Sequence, residues 1–477
     1  MSVHVAVVGG GLAGITAALR CADAGARVTL LESRARLGGV AGSFRRGELD
    51  VDTGQHVVLR CCTSYLALLD RLGVTADVGL QDRLDIPVLA PGAAPSRLRR
   101  SGLPAPLHLG AALLRYRPMP VADRVRVLGA ALALGRVDPT DPAVDARTFG
   151  DWLAAHGQRP RAVETLWDLV GIATLNARAD EASLALAATV FQLGLLTDAA
   201  AGDIGWARVP LGRLHDDAAR RALRAAGVDV RTSARVRSLT PAPDGWRVAV
   251  TRTTARTRRD TQAQAGPGTA GPAGEEEIVA DRIVSAVPPA AATRLLPAGA
   301  VDLPDGWAGR LGSSPIVNVH VVYDRRVLHH EFAAAVDGPV QWVFDRTASS
   351  GAESVHPPGA QYLAVSLSAA DDLIGLPVAA LRDRMLPALA AVLPAAATAR
   401  VLDFFVTREP HATFRAAPGQ AALRPGPVSG LAGLALAGAW TATGWPATME
   451  GAVRSGDAAA AAVLADSGAT VAAGAAA

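Results

Sequence analysis

The chain contains no lysine: all 47 of its basic residues are arginine. Mechanisms that depend on a lysine amine are therefore closed to it. Aromatic residues make up only 4% against 50% hydrophobic residues in all, so the core must be built from small and branched aliphatic side chains. Three cysteines, Cys21, Cys61 and Cys62, give neither a CxxC spacing nor an even framework, so neither a disulfide scaffold nor a zinc site is suggested, and a reducing cytosol is expected. No run of about 18 uninterrupted apolar residues occurs, so a membrane-spanning helix is not expected. A net charge of +3, with arginine interspersed among the acids, argues against a nucleic-acid binder. The N-terminus has no basic flank, and Gly9, Gly10 and Gly11 break its apolar stretch, which reads as strand and turn rather than signal peptide.

What is present begins at that turn. At 477 residues the chain is long enough for about two to three domains. Residues 3–8 predict a buried parallel strand, the pattern then lengthens into a helix to about Ala24, Gly25 caps it, and Arg27 to Leu31 predicts a second strand. Gly9-x-Gly11-x-x-Gly14 lies between them. There the first glycine permits a tight turn, the second lets backbone approach a pyrophosphate, and the third lets helix meet strand, with phosphates at the positive helix terminus around Leu12 and Ala13. Glu32 ends the second strand, where its carboxylate can accept the ribose hydroxyls. This much suits NAD and FAD equally.

Further on, the patterns predict a helix near 64–72, an amphipathic and mostly helical region over 95–135 with arginines on one side, and helices over 147–157 and 161–197. A helix then leads through Gly227 to strands near 228–231, 234–239 and 245–253. A loop of disordered composition is expected over 254–277, followed by a strand over 278–289. Strands near 315–323, 340–345, 361–368 and 433–438 and helices over 377–393 and 447–464 complete the pattern, with a frayed alanine-rich tail from 466.

The residues after Glu32, which run Ser33, Arg34, Ala35, Arg36, Leu37, Gly38, Gly39, resemble the E-x-x-x-R-x-G-G continuation of the flavin amine oxidase and phytoene desaturase superfamily. "LALAGAWTATGWPATMEGAVRSGDAAA" (434–460) is similar to that superfamily's C-terminal flavin segment. The resemblance implies FAD, and an α/β fold: a Rossmann-like FAD-binding domain (1–75, 206–290 and 406–465) carrying an inserted mixed α+β substrate domain (76–205, mainly helical, and 291–405, a sheet), with 466–477 as tail. It places the flavin against Gly9, Gly11, Leu12, Ala13, Gly14, Glu32, Ser33, Arg36, Gly38, Gly39, Gly54, Gln55, His56 and Val236, and against Gly438, Ala439, Trp440, Trp445, Thr448, Met449 and Gly451. The amides at 448–451 would face the flavin where charge gathers on reduction. Two positions depart from the superfamily: Val40 stands where Arg or Lys is common, and Ala439 where Asp is.

"DTGQHVVLRCCTSYLALLDRLGV" (52–74), "LPAPLHLGAALLRY" (103–116), "WDLVGIATLNARADEAS" (167–183) and "GWPATMEGAVRSG" (444–456) further resemble the bacterial squalene-associated flavoproteins, the hydroxysqualene dehydroxylase family of hopanoid biosynthesis. That likeness implies reductive removal of an allylic hydroxyl from a hydrophobic C30 isoprenoid substrate, with an unidentified electron donor reducing the flavin. His56 is the first candidate for the general acid. Gln55 beside it is a further catalytic candidate, the alternative being that Gln55 and His56 only tie this loop down by hydrogen bonds. Asn176 is a candidate to polarise the hydroxyl or else to cap a helix, and Asp52 and Asp168 are less favoured candidates for the acid. Trp440 and Trp445 are expected to line the tunnel. The segment 97–135, with Arg99, Arg100 and Arg115, is a candidate for peripheral contact with the inner face of the plasma membrane, as against an ordinary surface helix pair. A carotenoid-type desaturase is the alternative enzyme. An amine oxidase with a lysine-held water fits poorly, and a non-catalytic scaffold is the remaining reading.

Overall fold

The computed structural model describes residues 2–252 and 274–465. Five strands lie parallel in the order Asp229–Arg231, Arg27–Leu31, His4–Val8, Arg282–Ser285, Leu434–Leu436. Side-chain alternation along the central strand sorts the interior into two cores. Val5 and Val7 join Ile15, Leu19, Val453 and Ala459 of the first helix (Leu12–Asp23) and the last (Met449–Ala465). Ala6 and Val8 turn the other way, toward Val236, Leu239, Val248 and Ile278 of an antiparallel meander formed by Ala234–Ala242, Gly245–Arg252 and Gly274–Ala280. First and last helices touch where a Cβ on Gly456 would stand 2.3 Å from the Ala13 carbonyl oxygen, an approach that only glycine permits.

A second, seven-stranded mixed sheet has the order Val401–Thr413, Ser314–Tyr323, Gln361–Leu367, Trp342–Asp345, Phe332–Ala335, Asp85–Leu89, Ser96–Arg99. Helix Val378–Val392 covers one face, burying Val317, Val319, Leu363 and Val365. Phe332, Ala334 and Phe344 on the other face pack toward helices Phe149–Ala155 and Leu184–Phe191. The α/β class with a Rossmann-like cofactor sheet and a mixed substrate portion is thus the observed fold.

Several elements differ from expectation. Residues 96–99, expected within a helical tract, form a strand because SRLR alternates, with Ser96 and Leu98 buried and Arg97 and Arg99 exposed; helix is confined to a short 3-10 turn, Leu107–Leu109, and the α-helices Gly110–Leu114 and Val121–Leu134. The expected strand over 278–289 is two strands meeting at Asp281, and residues 274–277 belong to the first of them rather than to a loop. The rest of that loop and the tail from 466 lie outside the described residues. Expected boundaries at 205/206 and 405/406 fall inside strands Ile204–Ala207 and Val401–Thr413.

Candidate active site

The glycines of the first turn do different work. Gly9 takes φ +109°, and a Cβ there would lie 2.5 Å from the Ala286 carbonyl oxygen; one on Gly14 would lie 1.8 Å from the carbonyl oxygen of Gly9. Gly11, with φ −73°, is unlike them: the nearest atom to a Cβ there is the Cα of Gly39, 4.0 Å away. Gly39 itself takes φ +61°, with its Cβ position 3.2 Å from the Gly11 Cα. Gly9 and Gly14 therefore answer to the chain's own packing, whereas Gly11 keeps open a space rimmed by Gly39. That space sits at the start of the first helix, where Leu12 and Ala13 begin the turn without a side-chain cap, and it fits a dinucleotide's pyrophosphate.

Glu32 is buried and braces the same loop. Its Oε2 accepts the Gly10 N–H at 2.7 Å, and its Oε1 accepts the Arg34 N–H at 2.7 Å and the Ser33 hydroxyl at 3.1 Å. With two donors already on Oε1 and one on Oε2, it is Oε2 that keeps a lone pair for a ribose hydroxyl. The Gly38 N–H donates to the Gly10 carbonyl at 2.8 Å, Arg36 donates to the Gly39 carbonyl at 3.1 Å, and Asp216 accepts the Leu37 N–H at 3.0 Å. The meander joins here, since the Ala234 N–H donates to the Glu32 carbonyl at 2.9 Å, which sets buried Val236 two residues from the strand end that carries Glu32.

A second wall comes from residues 52–65 and 211–216. Asp52 is committed to structure: its Oδ2 pairs with Arg346 at 2.6 Å, and its Oδ1 accepts the Ser43 hydroxyl at 2.6 Å and the Leu211 N–H at 3.0 Å. This removes it as a candidate acid. His56 is half-buried. Its Nδ1 lies 3.1 Å from the Gly54 carbonyl oxygen, which can only accept, so Nδ1 carries the hydrogen and Nε2 is left with a free lone pair. Burial lowers its pKa, so the neutral ring is the resting form. Gly54 packs beneath it, a Cβ there falling 3.0 Å from the His56 Cε1, and the Gln55 amide makes no hydrogen bond among the described residues.

The sequence reading missed His215, which stands next to Asp216. It is fully buried, donates from Nδ1 to the Ala41 carbonyl at 2.6 Å and accepts the Tyr65 hydroxyl at Nε2 at 2.8 Å; burial pushes its pKa down to about 4. Glu450 was missed too. From the first turn of the last helix it accepts the N–H groups of Ser64 (3.2 Å) and Tyr65 (2.7 Å), capping helix Thr63–Arg71, and pairs with Arg454 at 2.6 Å.

The third wall is the segment 438–451, where expectation needs revision. The Gly451 N–H is taken by the Thr448 hydroxyl at 3.1 Å, and the Thr448 N–H by the Pro446 carbonyl at 2.8 Å, so of the three named residues Met449 alone keeps its amide for a cofactor. Gly451 is required for packing, since its Cβ would lie 2.8 Å from the Pro446 carbonyl oxygen. Trp440 is a core residue rather than a tunnel wall: its indole N–H donates to Val287 at 3.0 Å, its ring stacks on Trp307 at 5.1 Å, and it fills the space beside Gly438, whose φ is +136°. Ala439 and Trp445 are half-buried, and the Arg454 guanidinium lies 5.1 Å from the Trp445 ring centre.

Asn176 is also a correction. It ends helix Asp168–Leu175 in the left-handed region (φ 53°), its Nδ2 donates to Ser314 and Thr413 at 3.0 Å each, and its Oδ1 accepts the Ala369 N–H at 2.6 Å. With donors and acceptor engaged, it is a structural cap. Asp168 lies away from the flavin loops in a cavity of about 420 Å³ lined also by Arg178, Trp342 and Arg384. Its Oδ1 accepts the Ala179 N–H at 2.9 Å, and burial raises its pKa to about 6.

Residues 12–464 match the sequence pattern of the flavin containing amine oxidoreductases. The chain is 30% identical over 472 residues to a hydroxysqualene dehydroxylase of Rhodopseudomonas palustris, covering 98% of this chain and 99% of that protein. It is 24% identical over 500 residues to a zeta-carotene desaturase of Synechocystis, covering 97% and 98%. Among solved structures, cyclohexylamine oxidase from Brevibacterium oxydans shares the fold with a TM-score of 0.68 at 18% identity, covering 98% of this chain and 99% of that one.

Proposed function

This chain belongs to the flavin containing amine oxidoreductase family and is an FAD-dependent oxidoreductase, and from that premise we propose that it reductively removes the allylic hydroxyl of hydroxysqualene to give squalene. The observation that carries the reading is the end-to-end likeness to a hydroxysqualene dehydroxylase, at higher identity than the likewise end-to-end match to a desaturase. The absence of lysine supports it against an amine oxidase that works through a lysine-held water.

The reaction breaks the C–O bond, releases the oxygen as water after it gains a proton, and forms a C–H bond. Reduced flavin, when bound, supplies the hydride. The chain's part is to hold the cofactor between residues 9–14, 32–39 and 438–451, to exclude water, and to deliver the proton. His56 does the last: Nε2, the ring nitrogen without a protein partner, takes up a proton and passes it to the departing hydroxyl. Burial keeps the charged ring scarce and makes it a strong acid when it forms.

The substrate reaches this site from a membrane surface. Leu103, Leu107, Leu114, Val121, Val125 and Leu132 are exposed along 103–132, with Arg115 and Arg117 exposed beside them. Arg100 is not part of this patch, since it pairs with buried Asp203 at 2.6 Å. No described helix is long and apolar enough to cross a membrane, so contact is at the surface. Flotation with anionic liposomes should weaken in an Arg115→Ser/Arg117→Ser/Leu107→Ser variant; unchanged flotation removes the patch from the reading.

The test of function is anaerobic. FAD-loaded, chemically reduced protein is mixed with hydroxysqualene, flavin reoxidation is followed in the visible, and the lipid is extracted. Reoxidation matched by squalene supports the proposal. A flavin that stays reduced, while oxidised protein dehydrogenates a polyene, supports the desaturase reading favoured by the Synechocystis match.

A further inference from the structure

Two arginines are buried among the described residues, and they are treated differently. Arg346 is neutralised by Asp52. Arg424 has no carboxylate within ion-pair distance among the described residues; it is held by main-chain carbonyls instead. Its Nη2 donates to Thr441 (2.6 Å), Trp445 (2.7 Å) and Ala439 (3.4 Å), its Nε donates to Trp440 (3.3 Å), and its guanidinium lies 4.6 Å from the Phe414 ring centre. Asp145, whose charge it feels, is already occupied by the Ser183 hydroxyl at 2.6 Å and the Ala421 N–H at 3.1 Å. The second terminal nitrogen, Nη1, makes no hydrogen bond among the described residues. Although burial lowers its pKa to about 10, the side chain remains charged at neutral pH.

A buried cation without a counter-ion is costly, and four carbonyl dipoles compensate it only in part. All four belong to 439–445, the loop between the end of strand Leu434–Leu436 and the last helix. We propose that Arg424 is a positioning residue for the flavin: it clamps this loop into shape, and its unpaired charge favours the negative charge that the bound flavin acquires on reduction. Two separable functions follow, geometric and electrostatic. The inference rests on the cofactor lying against 438–451 but not on the substrate, so a protein inactive toward hydroxysqualene still tests it.

Sulfite is the probe, because its adduct with oxidised flavin places negative charge on the ring without turnover. In FAD-loaded Arg424→Met, sulfite affinity should fall by about tenfold, and the midpoint potential should drop by a comparable amount, about 30 mV per tenfold for two electrons. Arg424→Lys keeps the charge and loses the fork, so FAD should bind more weakly while the potential of the loaded protein stays near wild type. Arg424→Gln removes the charge while keeping an amide donor for the loop carbonyls; sulfite affinity should fall as in Arg424→Met. If Arg424→Met does not fold, Arg424→Gln decides. Sulfite affinity and potential unchanged in folded Arg424→Gln or Arg424→Met overturn the proposal and leave Arg424 a loop brace.

Discussion

Replacing Gly11 by alanine and Gly14 by alanine should separate cofactor recognition from folding, because a single methyl meets two different things. At Gly14 it would stand 1.8 Å from the Gly9 carbonyl oxygen and 3.0 Å from the Gly9 carbonyl carbon, both backbone, so helix and strand must part. Overpacking of this kind costs about 1–3 kcal/mol, and rigid backbone on the opposing side puts Gly14→Ala at the upper end. At Gly11 the nearest atom is 4.0 Å away and the backbone is extended, with φ −73° and ψ 178°, which alanine adopts freely. Loss of a favourable N-cap glycine and gain of chain stiffness nearly cancel, leaving the apoprotein within about 1 kcal/mol of wild type. If pyrophosphate occupies that space, it must move by about a methyl radius, costing about 1–3 kcal/mol, or roughly 5- to 150-fold in Kd. Circular-dichroism melts of the apoproteins and FAD titration by fluorescence quenching read the two effects. Gly11→Ala binding FAD within about twofold of wild type would refute the assignment of that space, and equal thermal losses in both variants would refute the distinction.

The remaining predictions concern charge. Asp168 carries a raised pKa in the folded chain, about 6, so its ionised form is penalised above that pH and the penalty vanishes as pH falls through the unfolded value. Asp168→Asn, which keeps an acceptor for the Ala179 N–H, should therefore stabilise the protein by up to about 3 kcal/mol at pH 8 and by nothing below pH ~4; equal melting temperatures at pH 8 contradict it. Asp52→Ala strands buried Arg346 and should cost about 3–5 kcal/mol in urea denaturation, and a loss under ~1 kcal/mol would mean that water reaches the pair. His56 has a lowered pKa, so if its charged form is the acid, kcat should climb as pH falls from 8 toward 6; a profile that declines over the same range makes His56 an acceptor. His56→Ala should reduce turnover by ~10²-fold or more.

The parts of this molecule that were legible in the sequence are those whose cause is local. Gly9, Gly11 and Gly14, with Glu32 at the end of the next strand, sit in one strand-turn-helix-strand unit whose geometry is written within thirty residues. The strand Val401–Thr413 escaped because Glu409 and Pro410 interrupt its alternation; it lies at the edge of its sheet, where proline is tolerated, and the register against Ser314 and Ile316 shifts at that point. The Asp52–Arg346 pair, the Glu450 cap and the Arg424 clamp on the flavin loop were invisible for another reason. Each joins positions brought together only by the completed fold, and an isolated Asp, Glu or Arg carries no mark of its distant partner. Asn176 was visible as a cap or a polarising group, and its left-handed backbone, which the sequence does not state, decides for the cap.

The order of the parallel sheet also bears on synthesis. His4–Val8 pairs early with Arg27–Leu31 on one side, but its other neighbour, Arg282–Ser285, emerges from the ribosome more than 250 residues later, and Leu434–Leu436 later still. All five residues of that first strand are buried in the finished protein. Through most of translation, then, the nascent chain carries an apolar strand with one unpaired edge, a template for pairing with a neighbouring chain. The same geometry means that the cofactor cradle closes among the last events of synthesis, so production yield should depend on chaperone capacity and on FAD supply at chain release rather than on either alone.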